Sequence, residues 1–328
     1  MIRIRVLKAI ISTLLVVSTL LAYRAADSAE DDFASWLQRF KDEVIAEGIS
    51  PETADKAFAR IGYNELVIKL DRNQPEFKLS LSQYLARTIS AVRVQRGKEE
   101  LRENSILLRK VSRTYGVPPQ VLVALWGIET DFGRVTGGFS IIESLATLTY
   151  DQRRSAFFRK ELLAALHLLD GEKLSLSEME GSWAGALGYL QFLPSVILKY
   201  GVDFDGDGKL EIWNTSGDLF ATGSRYLALS GWKTGWKWGR EVRIPPGIDK
   251  SLIGLSVQKE LSDWQEHGVR TITGAHLPSV QVNASLIHPD DSDPRFFLIY
   301  DNFRVLMKWN RSTYYALAVG RLADLLKE

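Results

Sequence analysis

Carboxylate chemistry comes first in this chain, at Glu129. The residue closes an apolar run, Val121–Ile128, that Pro118 and Pro119 introduce. Proline suits the first turn of a helix, where the backbone N–H has no partner. In a helix, Leu122, Leu125, Trp126 and Glu129 share one face, because residues three and four apart are neighbours. Desolvation of a carboxylate on such a stripe disfavours its charged form and raises its pKa, which prepares a general acid. A Glu close to a helix end at Gly133 can also simply face water. Asp131 lies two positions further on and faces away from Glu129, so it is no simple partner. Glu143 follows the Gly137-Gly138 link and has a structural role as its readier explanation. Most glycosidases place two carboxyls across the bond. One acid suffices where the substrate supplies its own nucleophile.

Other stretches invite ligands. Asp203-Phe204-Asp205-Gly206-Asp207-Gly208-Lys209 matches a calcium-loop pattern, with Gly208 at the sharp turn and Lys209 offering its carbonyl. The twelfth position is Asn214 rather than a bidentate Glu, and Asp218 is the natural replacement ligand. The ion expected there is a structural brace; the bland alternative is an acidic turn. Gly181–Ser195 is dense in glycine and alanine, which implies close approach by another backbone or a ligand. Gln191 is the one long polar group there, and it must hydrogen-bond either the fold or a ligand. Arg153 and Arg154 suit an anionic or peptidyl substrate group, or plain surface charge. The four histidines share no metal-ligand spacing. Cysteine is absent, which excludes disulfides, thiolate sites and lipidation at an N-terminal cysteine. Near-neutral net charge gives no sign of nucleic-acid binding.

These groups need elements to carry them. Arg3, Arg5 and Lys8 precede an apolar run, Ala9–Ala22, too short for a comfortable membrane span and suited to a signal peptide. Cleavage is expected near residue 29, with an uncleaved anchor as the alternative; either way the body lies outside the cytoplasm, in the periplasm. Apolar spacing predicts helices over Asp31–Glu47, from Pro51, over Phe77–Gln95, Glu99–Tyr115, Ile141–Tyr150, Ser155–Leu169, Asp218–Ser230 and Thr313–Leu326. Residues 71–77 read as a structural turn. Glu241–Ile244, Val269–Ile272, Val280–Ile287 and Phe296–Tyr300 read as short strands. The division expected is a leader (1–29), an N-terminal helical region (30–115), a core (116–239) with its metal loop (203–218), a β-rich segment (240–305) and a closing helix (306–328). The class is α+β, mostly helical.

Trp126-Gly127-Ile128-Glu129-Thr130 with Phe132-Gly133, the run Gly181–Ser195, the acidic loop and Trp309-Asn310-Arg311-Ser312-x-x-Tyr315-Ala316 together resemble the B-type lytic murein transglycosylases. The likeness runs in order from about Phe33 to Leu326. It implies a lysozyme-like core and non-hydrolytic cleavage of the MurNAc–GlcNAc β-1,4 bond in peptidoglycan glycan strands. It implies Glu129 as the single acid and base, with the MurNAc C6 hydroxyl closing a 1,6-anhydro ring. By position it implies a sugar cleft at Ser182, Gln191, Tyr226, Asn310 and Tyr315, an aromatic platform at Phe157, and calcium at Asp203, Asp205, Asp207, Lys209 and Asp218. Leu190 stands where the family commonly has Gly, and Trp309 where a Tyr often precedes the Asn; both bear on subsite preference. Complexes with other cell-wall enzymes are a further expectation, without a lipid anchor. The rival readings are a muramidase, a non-catalytic murein-binding protein and a calcium-responsive regulator.

Overall fold

The computed structural model describes residues 32–73 and 79–327. The expected leader, and Gln74 to Phe77 of the turn, lie outside the described residues. Helices dominate, and their starts are chemically marked. Asp32, Ser50, Asn64, Ser80, Ser90, Ser140 and Ser216 each accept a backbone N–H at a helix N-terminus, which satisfies donors the helix itself cannot.

Those caps account for the main differences from the periodicity reading. The expected Phe77–Gln95 helix is divided into Leu81–Thr88 and Ala91–Glu103. Ser80 and Gln83 form a reciprocal capping box, and Ser90 starts the second helix after Ile89 leaves helical geometry. The expected Glu99–Tyr115 helix breaks at Asn104 into the end of Ala91–Glu103 and a new helix, Ser105–Tyr115. Four short helices were not anticipated: Glu65–Arg72, Pro194–Tyr200, Leu261–Glu266 and Asp301–Trp309. The helices Phe33–Ala46, Pro51–Phe58, Ile141–Tyr150, Ser155–Asp170, Gly217–Leu229 and Thr313–Lys327 stand where apolar spacing put them.

Five antiparallel strands form one sheet in the order Lys259–Glu260, Asn283–Ile287, Phe296–Ile299, Gly239–Arg243, Arg270–Thr271. Its edge strand Lys259–Glu260 was not foreseen. Alternation sends successive residues to opposite faces. Leu286, Leu298 and Tyr300 join a small cluster around Trp264, while Ile287, Phe297 and Ile299 join the main core. That main core is continuous from Phe40 to Leu326. The 30–115 and 116–239 stretches therefore share one core rather than each having its own. A two-stranded ribbon, Phe139–Ser140 with Glu180–Gly181, completes the sheet structure. No helix among the described residues is long and apolar enough to cross a membrane.

Candidate active site and metal loop

Glu129 is the penultimate residue of the helix Pro119–Thr130. The helix is almost wholly buried, so its route is set by close packing. A Cβ on Gly127 would lie 2.7 Å from the Phe132 ring. The helix does not stop at Gly133 as expected. Asp131, Phe132 and Gly133 are all left-handed, with φ of 48°, 61° and 79°. Two non-glycine residues in that region store strain, and the surroundings hold them there. Asp131 pairs with Arg93 and Arg96 at 3.3 and 2.8 Å. Thr130 Oγ1 donates to the Tyr189 carbonyl at 2.7 Å and accepts from Gly133 N at 3.0 Å. The Tyr189 ring stacks on Trp126. The glycine-rich turn is thus fastened to the end of the Glu129 helix.

Glu129 is half-buried, and two donors to its carboxylate come from the C-terminal stretch. Trp309 Nε1–H donates to Oε1 at 2.9 Å, and the Tyr315 hydroxyl donates to the same oxygen. Tyr315 is buried, and burial pushes its phenol well above the usual tyrosine range; the Glu129 carboxylate adds to the shift. It therefore stays protonated as a donor. Tyr226 meets Trp309 edge-on at 5.2 Å and donates to the Lys308 carbonyl at 2.7 Å. It props the indole that touches the acid. Burial also raises the Tyr226 phenol. Ser312 caps the closing helix by accepting Tyr315 N at 3.2 Å, which sets Tyr315 facing Glu129.

A cavity of about 370 Å³ opens beside the acid, lined by Leu79, Tyr84, Arg87, Thr88, Arg93, Ile128, Glu129, Asn310 and Tyr315. Of the expected cleft residues, Asn310 and Tyr315 line it; Ser182, Gln191, Tyr226, Phe157, Arg153 and Arg154 do not. Gln191 is left-handed at φ 49°, and its amide donates to the Thr136 and Gly188 carbonyls at 3.2 and 3.0 Å. Ser182 Oγ accepts from Ala186 N at 3.0 Å. Both stabilise the turn. The glycines there admit the protein's own chain: a Cβ on Gly181 would lie 2.1 Å from the Ala186 carbonyl oxygen. Arg153 and Arg154, expected at a substrate anion, both grip the buried carboxylate of Asp71. Phe157 is exposed, with its edge on Phe158. Glu143 accepts from Gly62 N at 3.2 Å and Asn64 Nδ2 at 2.9 Å, which gives it the structural role.

Sequence reasoning missed Trp309 as a donor to the acid, and it missed Tyr84 and Arg87. No local signal marks them, because the chain brings them to Glu129 from far away in sequence.

In the acidic loop, carboxylate oxygens of Asp203, Asp205 and Asp218 lie within 4.8 Å of one another. Asp218 is buried; burial pushes its carboxyl up, and Asp205 and Asp203 add to the shift. Gly206 and Gly208 are both left-handed. Three converging carboxylates and an open turn fit a hard, oxygen-loving cation. Asp207 Oδ1 accepts from Lys209 N at 2.8 Å, and Asp207 is not one of the three carboxylates that converge.

The chain matches the model of the Transglycosylase SLT domain over residues 32–324. It is 30% identical over 255 residues to membrane-bound lytic murein transglycosylase B of Escherichia coli K12, covering 74% of this chain and 66% of that protein. That match thus takes in slightly under two thirds of the relative's length. The fold superposes on SltB3 of Pseudomonas aeruginosa in complex with NAG-anhNAM-pentapeptide, with TM-score 0.87 and 42% identity, over 90% of this chain and 80% of that one. It also superposes on Escherichia coli Slt35 in complex with calcium, with TM-score 0.76 and 28% identity, over 89% and 92% of the two chains.

Proposed function

The chain belongs to the B-type lytic murein transglycosylases, and from that premise we propose that Glu129 alone cleaves the MurNAc–GlcNAc β-1,4 bond, first as acid and then as base. One observation carries this reading. Trp309 and Tyr315 both donate to Oε1 of a half-buried carboxylate at the wall of a cavity. Two donors on one oxygen orient the carboxyl group at the wall of that cavity. In the acid step Glu129 gives its proton to the glycosidic oxygen. In the base step it takes the proton of the MurNAc C6 hydroxyl, whose oxygen closes on C1 to form the 1,6-anhydro ring. An internal nucleophile has a high effective concentration, so no water and no second carboxylate is required. The other candidate acids are engaged elsewhere: Asp131 with two arginines and Glu143 with a loop. This disfavours the muramidase reading, which needs a partner for Glu129.

Asp203, Asp205 and Asp218 are proposed to hold calcium, with Asp207 and the Lys209 carbonyl completing the shell. A bound ion supplies charge neutralisation for the loop and takes no part in bond cleavage. The substrate is the glycan strand of peptidoglycan, and residues 1–29 are proposed as a leader to the periplasm.

The test is product analysis. Purified protein acting on murein sacculi releases 1,6-anhydromuropeptides detectable by mass spectrometry, and Glu129→Gln stops the release. Reducing-end products overturn the reading in favour of a hydrolase. Sacculus binding without soluble fragments overturns it in favour of a binding protein.

A further inference from the structure

The cavity beside Glu129 contains two arginines in different states. Arg93 donates from Nε to Asp131 at 3.3 Å and from Nη1 to the Thr88 carbonyl at 2.5 Å. Arg87 lines the same cavity, is exposed, and makes no hydrogen bond or ion pair among the described residues. It sits one turn beyond Tyr84, another lining residue, on the helix Leu81–Thr88. That helix is firmly held. Besides its capping box, Leu81 N donates to Asp290 at 2.7 Å and Ser82 Oγ donates to Asp293 at 2.6 Å. Arg295 ties Asp293 and Ser82 together. The β-rich segment therefore clamps the start of the helix that carries Arg87 into the cavity.

A guanidinium presents its N–H groups in one plane and pairs with carboxylates two bonds at a time. An exposed one with no partner among the described residues, on a fixed helix at the wall of the cavity beside Glu129, is suited to an anion on the substrate. Arg153 and Arg154 already hold Asp71 and lie outside this cavity. We propose that Arg87 is a specificity-determining residue that receives a carboxylate carried on the MurNAc unit, from the stem peptide or from the lactyl group itself. This rests on the assignment of Glu129 as the acid.

The experiment compares wild type, Arg87→Gln and Arg87→Lys on three substrates. These are intact murein, where the lactyl group is amide-linked and only the stem carries carboxylates; amidase-stripped glycan strands, which expose the lactyl carboxylate; and stripped strands with that carboxylate converted to an amide. Arg87→Gln is expected to raise KM roughly tenfold on a carboxylate-bearing substrate, the scale of one charge-assisted contact. It is expected to leave kcat and its pH profile unchanged and to leave the amidated strands unaffected. Arg87→Lys retains part of the affinity. A KM effect on intact murein assigns the stem carboxylate, and one on stripped strands assigns the lactyl group. Equal KM on all substrates overturns the proposal, as does an equal rise on amidated strands or a shift in the kcat pH profile. Failure of the wild type to make anhydro products is a separate result and sinks the assignment of Glu129 instead.

Discussion

Two carboxylates in this molecule occupy the same place on their helices and receive different kinds of donor. Glu129 and Asp71 are each the penultimate residue of a helix. Glu129 receives an indole N–H and a phenol O–H, both neutral. Asp71 receives two guanidinium groups. Neutral donors aim a carboxylate without cancelling its charge. Cations stabilise the ionised form and oppose protonation. A proton-transfer group must hold the proton at one moment and release it at the next. Asp71 braces the fold through its two arginines, while the proposed role of Glu129 requires it to change state.

The largest effect that tests this contrast is at Glu129 itself. Glu129→Gln keeps the two donors and removes the proton chemistry; kcat on murein is expected to fall by roughly a thousandfold, the scale of general acid–base catalysis, with an unchanged circular dichroism spectrum. Asp71→Asn is expected to do the reverse. It leaves two arginines without a counter-charge and lowers stability by about 2 kcal/mol, below the value for a fully buried pair because the arginines are half-exposed. Thermal melting measures this, and kcat of the folded variant should match wild type. A loss of kcat with no loss of melting temperature would break the comparison.

A smaller effect is expected at Tyr315. Tyr315→Phe removes one donor from Glu129 Oε1 and keeps the ring in the core. Steady-state kinetics should show kcat lower by roughly tenfold, the scale of one hydrogen bond to a charged group, with little change in KM. The metal loop supplies a third way to treat carboxylates, gathered against one another within 4.8 Å. Chelation should lower the melting temperature by a few degrees, as removal of a native-state ligand requires. It should leave kcat unchanged at temperatures below the transition. A lost kcat with an unchanged melting curve contradicts the role of brace.

Much of this was legible in the residues. The Pro-started helix of Glu129, its apolar face and the acidic loop all rest on local chemistry, and each was found where spacing put it. The helix limits around residues 77–115 were misjudged, because apolar periodicity continues through Ile89 while Ser90 and Asn104 interrupt the backbone. Arg153 and Arg154 are drawn to Asp71 rather than to the wall of the cavity beside Glu129, and the reason is non-local. Their partner, Asp71, is about eighty residues earlier in the chain, and nothing near the arginines announces it. Trp309 was noticed only as a departure from a pattern. That its N–H touches Glu129 follows from how the closing helices return across the core.

The smallest expected effect near neutral pH concerns a second arginine-held carboxylate, and it extends the contrast to acid. Asp293 is buried, and its carboxyl is held far below the usual range, chiefly by the hydrogen bonds from Arg295. A group whose folded pKa is depressed contributes its full stabilisation above its unfolded pKa, near 3.8. It loses that contribution as the pH falls through the folded value. At pH 7 a change of one unit should therefore leave stability unaltered by this group, and destabilisation should begin only below about pH 4. Asp290 and Asp170 are also lowered and share that window. Urea unfolding between pH 2 and pH 7 measures the slope. In Asp293→Asn the acid limb should be shallower by one proton's linkage while the neutral plateau drops. An unchanged acid limb would mean that the Arg295 pair is absent in solution. The clamp on the Leu81–Thr88 helix would then rest on Asp290 alone.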